Sequence, residues 1–216
     1  MTSNKAIGSI ELETFKRHFT DYKDQYVLIG GSATKLLLED ASLSARSTKD
    51  LDLVLCAKAL TKEFKDHFWT FIKEGKYRVK QSKNDNGVFY RFDEPKIYGY
   101  PYMIELLSGN AELDLSSGQV AYPIEIDGDI VSLSAIIMNQ EYYDFLMSNR
   151  KEMNGIVIAD EHVIIPLKIT AFLDLTRKKA GGNEVNGDDI KKHKNDVVRL
   201  AELLTSVPMK KCTFYN

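Results

Sequence analysis

Asp50 and Asp52 stand one residue apart in the apolar run DLDLVL. On a strand, alternate side chains share a face, so the two carboxylates point together while Leu51, Leu53 and Leu55 point into a core. Close like charges destabilise each other unless something positive sits between them, and oxygen ligands of this kind suit a divalent cation, magnesium first. Upstream, the run YVLI ends in Gly30-Gly31-Ser32 and leads into a helical pattern, ATKLLLE. A glycine pair between a strand and a helix lets backbone N–H groups approach a phosphate, and the helix N-terminus adds partial positive charge. The Ser32 hydroxyl is a further donor to the same phosphate. Taken singly, Gly-Gly-Ser reads as a tight turn and Asp-x-Asp as a solvated strand face. Their order and spacing favour a phosphate cradle beside a metal-binding face. Arg46 and Lys49 flank the carboxylates, placed to screen them or to touch a nucleotide.

A further acid interrupts the apolar run MIELL. Buried alone, Glu105 would carry a large desolvation cost unless paired or bound to a metal; on a half-exposed strand it would face solvent. Asp114, flanked by Leu113 and Leu115, competes with it for the role of third carboxylate.

The elements that must position these groups follow from periodicity. Residues 8–20 space Ile10, Leu12, Phe15 and Phe19 as a lead-in helix, and residues 25–29 form the first strand. The run TKEFKDHFWTFIK predicts a packing helix with Thr61 as its N-cap. Three alternating runs follow, 77–81, 88–92 and 102–107, read as an antiparallel extension of the sheet. Asp127-Gly128 marks a hairpin within 122–132. An amphipathic segment covers 135–149, and Asn154-Gly155 breaks the chain. From Glu161 two helical patterns are separated by the loop from Gly181 to Asp188. Lys168 lies early in the first. In the second, Lys192 and Asp196 at i, i+4 read by spacing alone as a surface ion pair of little consequence. The expected architecture is α+β: a mixed sheet with packing helices over residues 1–155, then a helical lobe over 156–216.

At 216 residues, 44% apolar and 28% charged, the chain has the make-up of an ordinary globular protein. A net charge of −2 argues against nucleic-acid binding by bulk electrostatics, although residues 150–216 are net basic and the rest net acidic. No apolar run reaches bilayer length and the opening MTSNKAIGSIELE has no apolar signal core, so a cytoplasmic protein without a membrane partner is expected. Cys56 and Cys212 read as free thiols, and the four histidines lack paired ligand spacing.

The hydrophobic strand, Gly30-Gly31-Ser32, spacer and Asp50-Leu51-Asp52 together resemble the signature of the nucleotidyltransferase superfamily with the DNA polymerase β-like fold. The spacer is longer than the family's shortest, which a loop over 41–48 would absorb. Lys168-Ile169-Thr170-Ala171, Arg177 and the final Lys192-to-Val197 motif narrow the likeness to the AbiEii-type toxins of abortive-infection, two-gene toxin–antitoxin systems. His193 departs from that family, which usually has an acid there. The resemblance implies a metal-dependent transferase that moves a nucleoside monophosphate from a nucleoside triphosphate to an acceptor, with Mg2+ or Mn2+ as cofactor. It implies Asp50, Asp52 and Glu105 as metal ligands, Gly30, Gly31 and Ser32 gripping phosphates, Lys168 neutralising phosphate charge and Asp196 closing the site. RNA or tRNA, or a protein, is the implied acceptor, and an antitoxin protein the implied partner. The alternatives are a small-molecule transferase of the aminoglycoside-modifying kind and a degenerate nucleotide-binding protein.

Overall fold

In the computed structural model, which describes residues 10–48, 50–56, 61–84, 87–108 and 140–204, the strands join in one seven-stranded sheet. The strands are β1 (Tyr26–Ile29), β2 (Asp50–Leu55), β3 (Arg78–Asn84), β4 (Gly87–Asp93), β5 (Met103–Ser108), β6 (Arg150–Met153) and β7 (Ile156–Ala159). Six α-helices occur among the described residues: α1 (Ile10–Phe19), α2 (Gly30–Asp40), α3 (Lys62–Gly75), α4 (Gln140–Ser148), α5 (Glu161–Ala180) and α6 (Gly187–Ala201). The sheet order is β3-β4-β5-β2-β1-β7-β6. β2 pairs with β5 and β1 with β7 in parallel, and every other pairing is antiparallel. The protein is therefore α+β with a mixed, open sheet.

The register decides what each face carries. Leu51, Ile104 and Phe92 align across β2, β5 and β4, and one residue along, Asp52, Glu105 and Arg91 align on the other face. The first face is covered by α1 and α3, whose apolar residues recur at helical spacing: Leu12, Phe15 and Phe19 on one, Phe64, Phe68, Phe71 and Ile72 on the other, all buried. Their rings interlock, with Phe15 stacked on Phe19 at 4.5 Å between centroids and Phe68 edge-on to Phe92 at 5.3 Å. Thr61 caps α3 as its sequence predicts, its hydroxyl accepting from the Phe64 N–H at 3.1 Å.

Two elements differ from expectation. The run around β5 was expected to extend the sheet antiparallel; it does so toward β4 but lies parallel to β2, because the chain between crosses over by way of α3 and the β3–β4 hairpin. Asn154-Gly155, read as a break, is the turn of the β6–β7 hairpin. Both residues have positive φ, 52° and 82°, as a two-residue hairpin turn requires. Four-residue strands are too short for alternation to declare itself. β7 then lies beside β1, so the sheet continues past residue 155 and the helices resume at Glu161. The hairpin expected within 122–132, Lys49, Asp114 and Cys212 lie outside the described residues.

Phe19 touches the rings of Phe15, Tyr26, Phe64, Phe68 and Phe71 and is 1% exposed. Phe19→Ala is expected to lower unfolding stability by about 3–5 kcal/mol, read as a fall in the urea midpoint; an unchanged midpoint would contradict this packing.

Candidate active site

β1 leads straight into α2, with no intervening loop. Gly30 makes the junction at φ +68, and a Cβ there would lie 1.7 Å from Asp52 Oδ2. Only glycine permits that backbone and that contact together. The Gly31 N–H then donates to the Asp52 carboxylate, and the Ser32 hydroxyl donates to the Asp50 carbonyl at 2.5 Å. The Gly-Gly-Ser turn is thus stitched to β2 at both aspartates. The Ser32 side chain, expected to face a phosphate, is buried and turned to the backbone of β2 instead.

Beside this turn opens a cleft of about 260 Å³. Asp50, Asp52 and Glu105 line it from the sheet, with Gly30 and Gly31 at one end. Arg46 and Thr48 enter from the loop before β2, and Lys168, Lys192 and His193 from α5 and α6. The register places Asp52 directly beside Glu105 and Asp50 beside Met103. Glu105 is 6% exposed; its Oε1 accepts from Arg91 Nε at 2.9 Å and Nη2 at 2.8 Å. Burial, and then the neighbouring Asp52 charge, push the Glu105 carboxyl above the usual carboxylate range, opposed by Arg91. A hydrogen bond joins the Glu105 and Asp52 side chains. Burial raises Asp52 as well, opposed by Lys168 and raised further by Asp50.

Across the cleft, Lys168 and Asp196 are both nearly inaccessible and their Nζ and Oδ2 stand 2.7 Å apart. Burial pushes the Lys168 ammonium below its usual range, and Asp196 opposes that. Arg46 Nε reaches both Asp196 oxygens at 3.3 Å. Asp196 is therefore not the partner of Lys192, which pairs instead with Asp189 at 3.1 Å. The surface ion pair suggested by i, i+4 spacing is corrected here: Asp196 lies on the buried side of α6, four residues before buried Leu200. Asp160 caps α5, accepting from the His162 and Val163 N–H groups, and Asn186 caps α6. These caps set where the helices begin and so where Lys168 and Asp196 fall.

Among the described residues, no three His, Cys, Asp or Glu side chains take the spatial arrangement of a metal centre. The donor chemistry nevertheless fits a magnesium-like ion: adjacent carboxylates crowd one face, and both Asp52 and Glu105 are driven toward the protonated form. Magnesium commonly takes one or two carboxylates and completes its shell with water and phosphate oxygens.

Of the residues singled out in the sequence, Gly30, Gly31, Asp50, Asp52, Glu105 and Lys168 line one cleft, Asp196 stands behind Lys168, and Ser32 braces the turn from beneath. Sequence reasoning passed over Arg91. Its signal was the one that exposed Glu105, a charge inside an apolar strand, here GVFYRFD. His193 was noted only as a departure. Its Nδ1 is buried and finds no hydrogen-bond partner among the described residues. No family model, no curated protein and no solved structure matches this chain.

Two outcomes follow from this geometry. Gly30→Ala adds a strained φ, about 1–2 kcal/mol, and a collision with Asp52, about 1–3 kcal/mol. A clearly lower urea midpoint is expected, and an unchanged one would refute the close approach. Burial, followed by Lys168 and Lys192, pushes His193 down to about 4 from an ordinary 6.5. Between those values the unfolded chain binds a proton that the folded one refuses, so stability falls as pH drops from 6.5 toward 4, by up to roughly 3 kcal/mol. Urea titrations across that window should flatten in His193→Gln, and a profile unaltered by the substitution would reject the assignment.

Proposed function

We propose that this protein is a metal-dependent nucleotidyltransferase of the polymerase β-like kind, acting as the toxin component of a toxin–antitoxin or abortive-infection system. The observation that carries the catalytic part is the facing of two unlike walls across one cleft: crowded carboxylates on adjacent strands, with buried Lys168 opposite and the Gly30–Gly31 turn alongside. The mixed sheet, in which the aspartate strand runs antiparallel to the glycine-turn strand and parallel to the Glu105 strand, supports the polymerase β-like reading. The toxin assignment rests on the motif resemblance at Lys168, Arg177 and Asp196.

In this reading an acceptor hydroxyl attacks the α-phosphorus of a nucleoside triphosphate, an O–P bond forms, and pyrophosphate leaves. Asp50 and Asp52, with Glu105 as the third carboxylate, would hold a divalent cation that supplies polarisation of the α-phosphate and neutralisation of the leaving charge. The acceptor proton passes to a carboxylate on the sheet wall. Asp52 and Glu105 suit that step because burial and mutual repulsion raise their proton affinity. Lys168 balances phosphate charge from the helical wall, and Asp196 holds its ammonium in place. Catalysis then consists mainly of position and charge, which a rigid sheet and two capped helices can supply. RNA, including the acceptor end of tRNA, is the proposed acceptor.

The test is transfer of label from each α-labelled nucleoside triphosphate, with magnesium, to total RNA and in parallel to aminoglycosides. Wild-type protein should label RNA, and Asp50→Asn should reduce labelling by roughly a hundredfold or more with an unshifted melting temperature. Unchanged transfer by Asp50→Asn would refute the site, and label on the aminoglycoside alone would replace the acceptor.

A further inference from the structure

The two donors that a phosphate cradle at the glycine turn would use are already engaged inside the protein. Gly31 N–H donates to the Asp52 carboxylate and the Ser32 hydroxyl to the Asp50 carbonyl. Turning either outward would give up one of the two hydrogen bonds from the turn to β2. A cleft that receives a phosphate chain must therefore recognise it with other groups. Of the cations that line it, Lys168 is held by Asp196 at 2.7 Å and Lys192 by Asp189 at 3.1 Å, and Arg46 has the longest contact, 3.3 Å. The Arg46 guanidinium lies over the turn: a Cβ on Gly31 would meet its Nη2 at 2.8 Å. It lines the cleft, and its side chain is 37% exposed.

Its other edge is only loosely held. Arg46 Nε is 3.3 Å from each Asp196 oxygen, whereas Lys168 Nζ is 2.7 Å from Asp196 Oδ2. Charge-assisted N–H···O bonds between well-matched partners are about 2.7–2.9 Å long. Asp196 thus belongs to Lys168, and Arg46 shares it from a distance. The loop that carries Arg46 is fixed separately, since Arg199 on α6 donates to the Ser44 carbonyl at 2.6 Å. The guanidinium can change partners without losing its anchor.

We propose that Arg46 is the phosphate-recognition residue of this cleft: it exchanges its long contact with Asp196 for a bidentate contact to the phosphate chain of the nucleotide. Gly31 and Ser32 are then the frame beneath it rather than the grip. This deepens the nucleotidyltransferase reading and rests on it. An arginine suits the role because its planar fork matches two phosphate oxygens at once, which a lysine cannot do. Asp196, in turn, is a resident anion that competes with the phosphate.

Isothermal titration of the full chain with sodium tripolyphosphate, and separately with each nucleoside triphosphate plus magnesium, tests this. Arg46→Ala should weaken tripolyphosphate binding by roughly ten- to a hundredfold, and Arg46→Lys should recover only part of that. Ser32→Ala should weaken it several-fold less than Arg46→Ala. Equal affinity of Arg46→Ala and wild type, with nucleotide still bound by both, overturns the Arg46 assignment and leaves the transferase reading standing. Folded wild-type protein that binds neither tripolyphosphate nor any triphosphate overturns both. Should Arg46→Ala fail to fold, Arg46→Gln decides: tripolyphosphate affinity equal to wild type refutes the assignment.

Discussion

Nothing larger than a hydrogen atom fits between Gly30 and the carboxylate of Asp52, and much of the site depends on that contact. Because α2 begins where β1 ends, its first N–H groups face the strand next door, and Gly31 donates to Asp52. Ser32 reaches the next carbonyl along. β2 is thereby locked to the turn at two points, the Asp52 side chain and the Asp50 carbonyl. With β2 fixed, the parallel register carries the lock across to β5 and sets Glu105 beside Asp52. A side chain at residue 30 would push β2 away and spoil both alignments at once.

The electrostatics of the cleft follow from what each wall is made of. A sheet delivers side chains at fixed lateral spacing, so acids on neighbouring strands cannot move apart to relieve their repulsion. The proton affinities of Asp52 and Glu105 rise in response, and Arg91 offsets part of the Glu105 charge from β4. The helical wall has the opposite problem. Lys168 is buried and needs a carboxylate, which Asp196 provides from the next helix. A buried pair of this kind adds little net stability, but removing either member would leave the other uncompensated. The arrangement therefore specifies how α5 and α6 sit together more than it strengthens them.

Elements with long periodic faces were legible in the sequence. α1, α3, α5 and α6 appear near where their apolar spacing put them, and the alternation in DLDLVL placed Asp50 and Asp52 on one strand face, while the strand register is what sets Glu105 beside Asp52. Glu105 stood out because it interrupts an apolar pattern, whereas Lys168 and Asp196 came forward only through the motif resemblance. Shorter features were not legible: β6 and β7 carry too few residues to show a period, and the hairpin between them announced itself only as Asn-Gly. Direction was also beyond reach, since nothing local in MIELLS states whether it runs with or against β2.

What the chain's order of residues determined by itself was local: glycine where a strand turns at once into a helix, carboxylates at alternate positions, Thr61 and Asp160 as caps. These depend on backbone sterics and on neighbours within one or two turns, which are written consecutively. Partnership was decided only in three dimensions. Asp196 could have met Lys192 four residues away, yet it meets Lys168 and Arg46, because α6 packs with that face inward against α5 and the loop before β2. Ser32 could have faced a ligand, yet it faces Asp50, because the strand that accepts its proton arrives from further along the chain. Long-range packing sets which of several chemically equivalent partners stands within hydrogen-bond reach, and spacing along the chain holds no record of that.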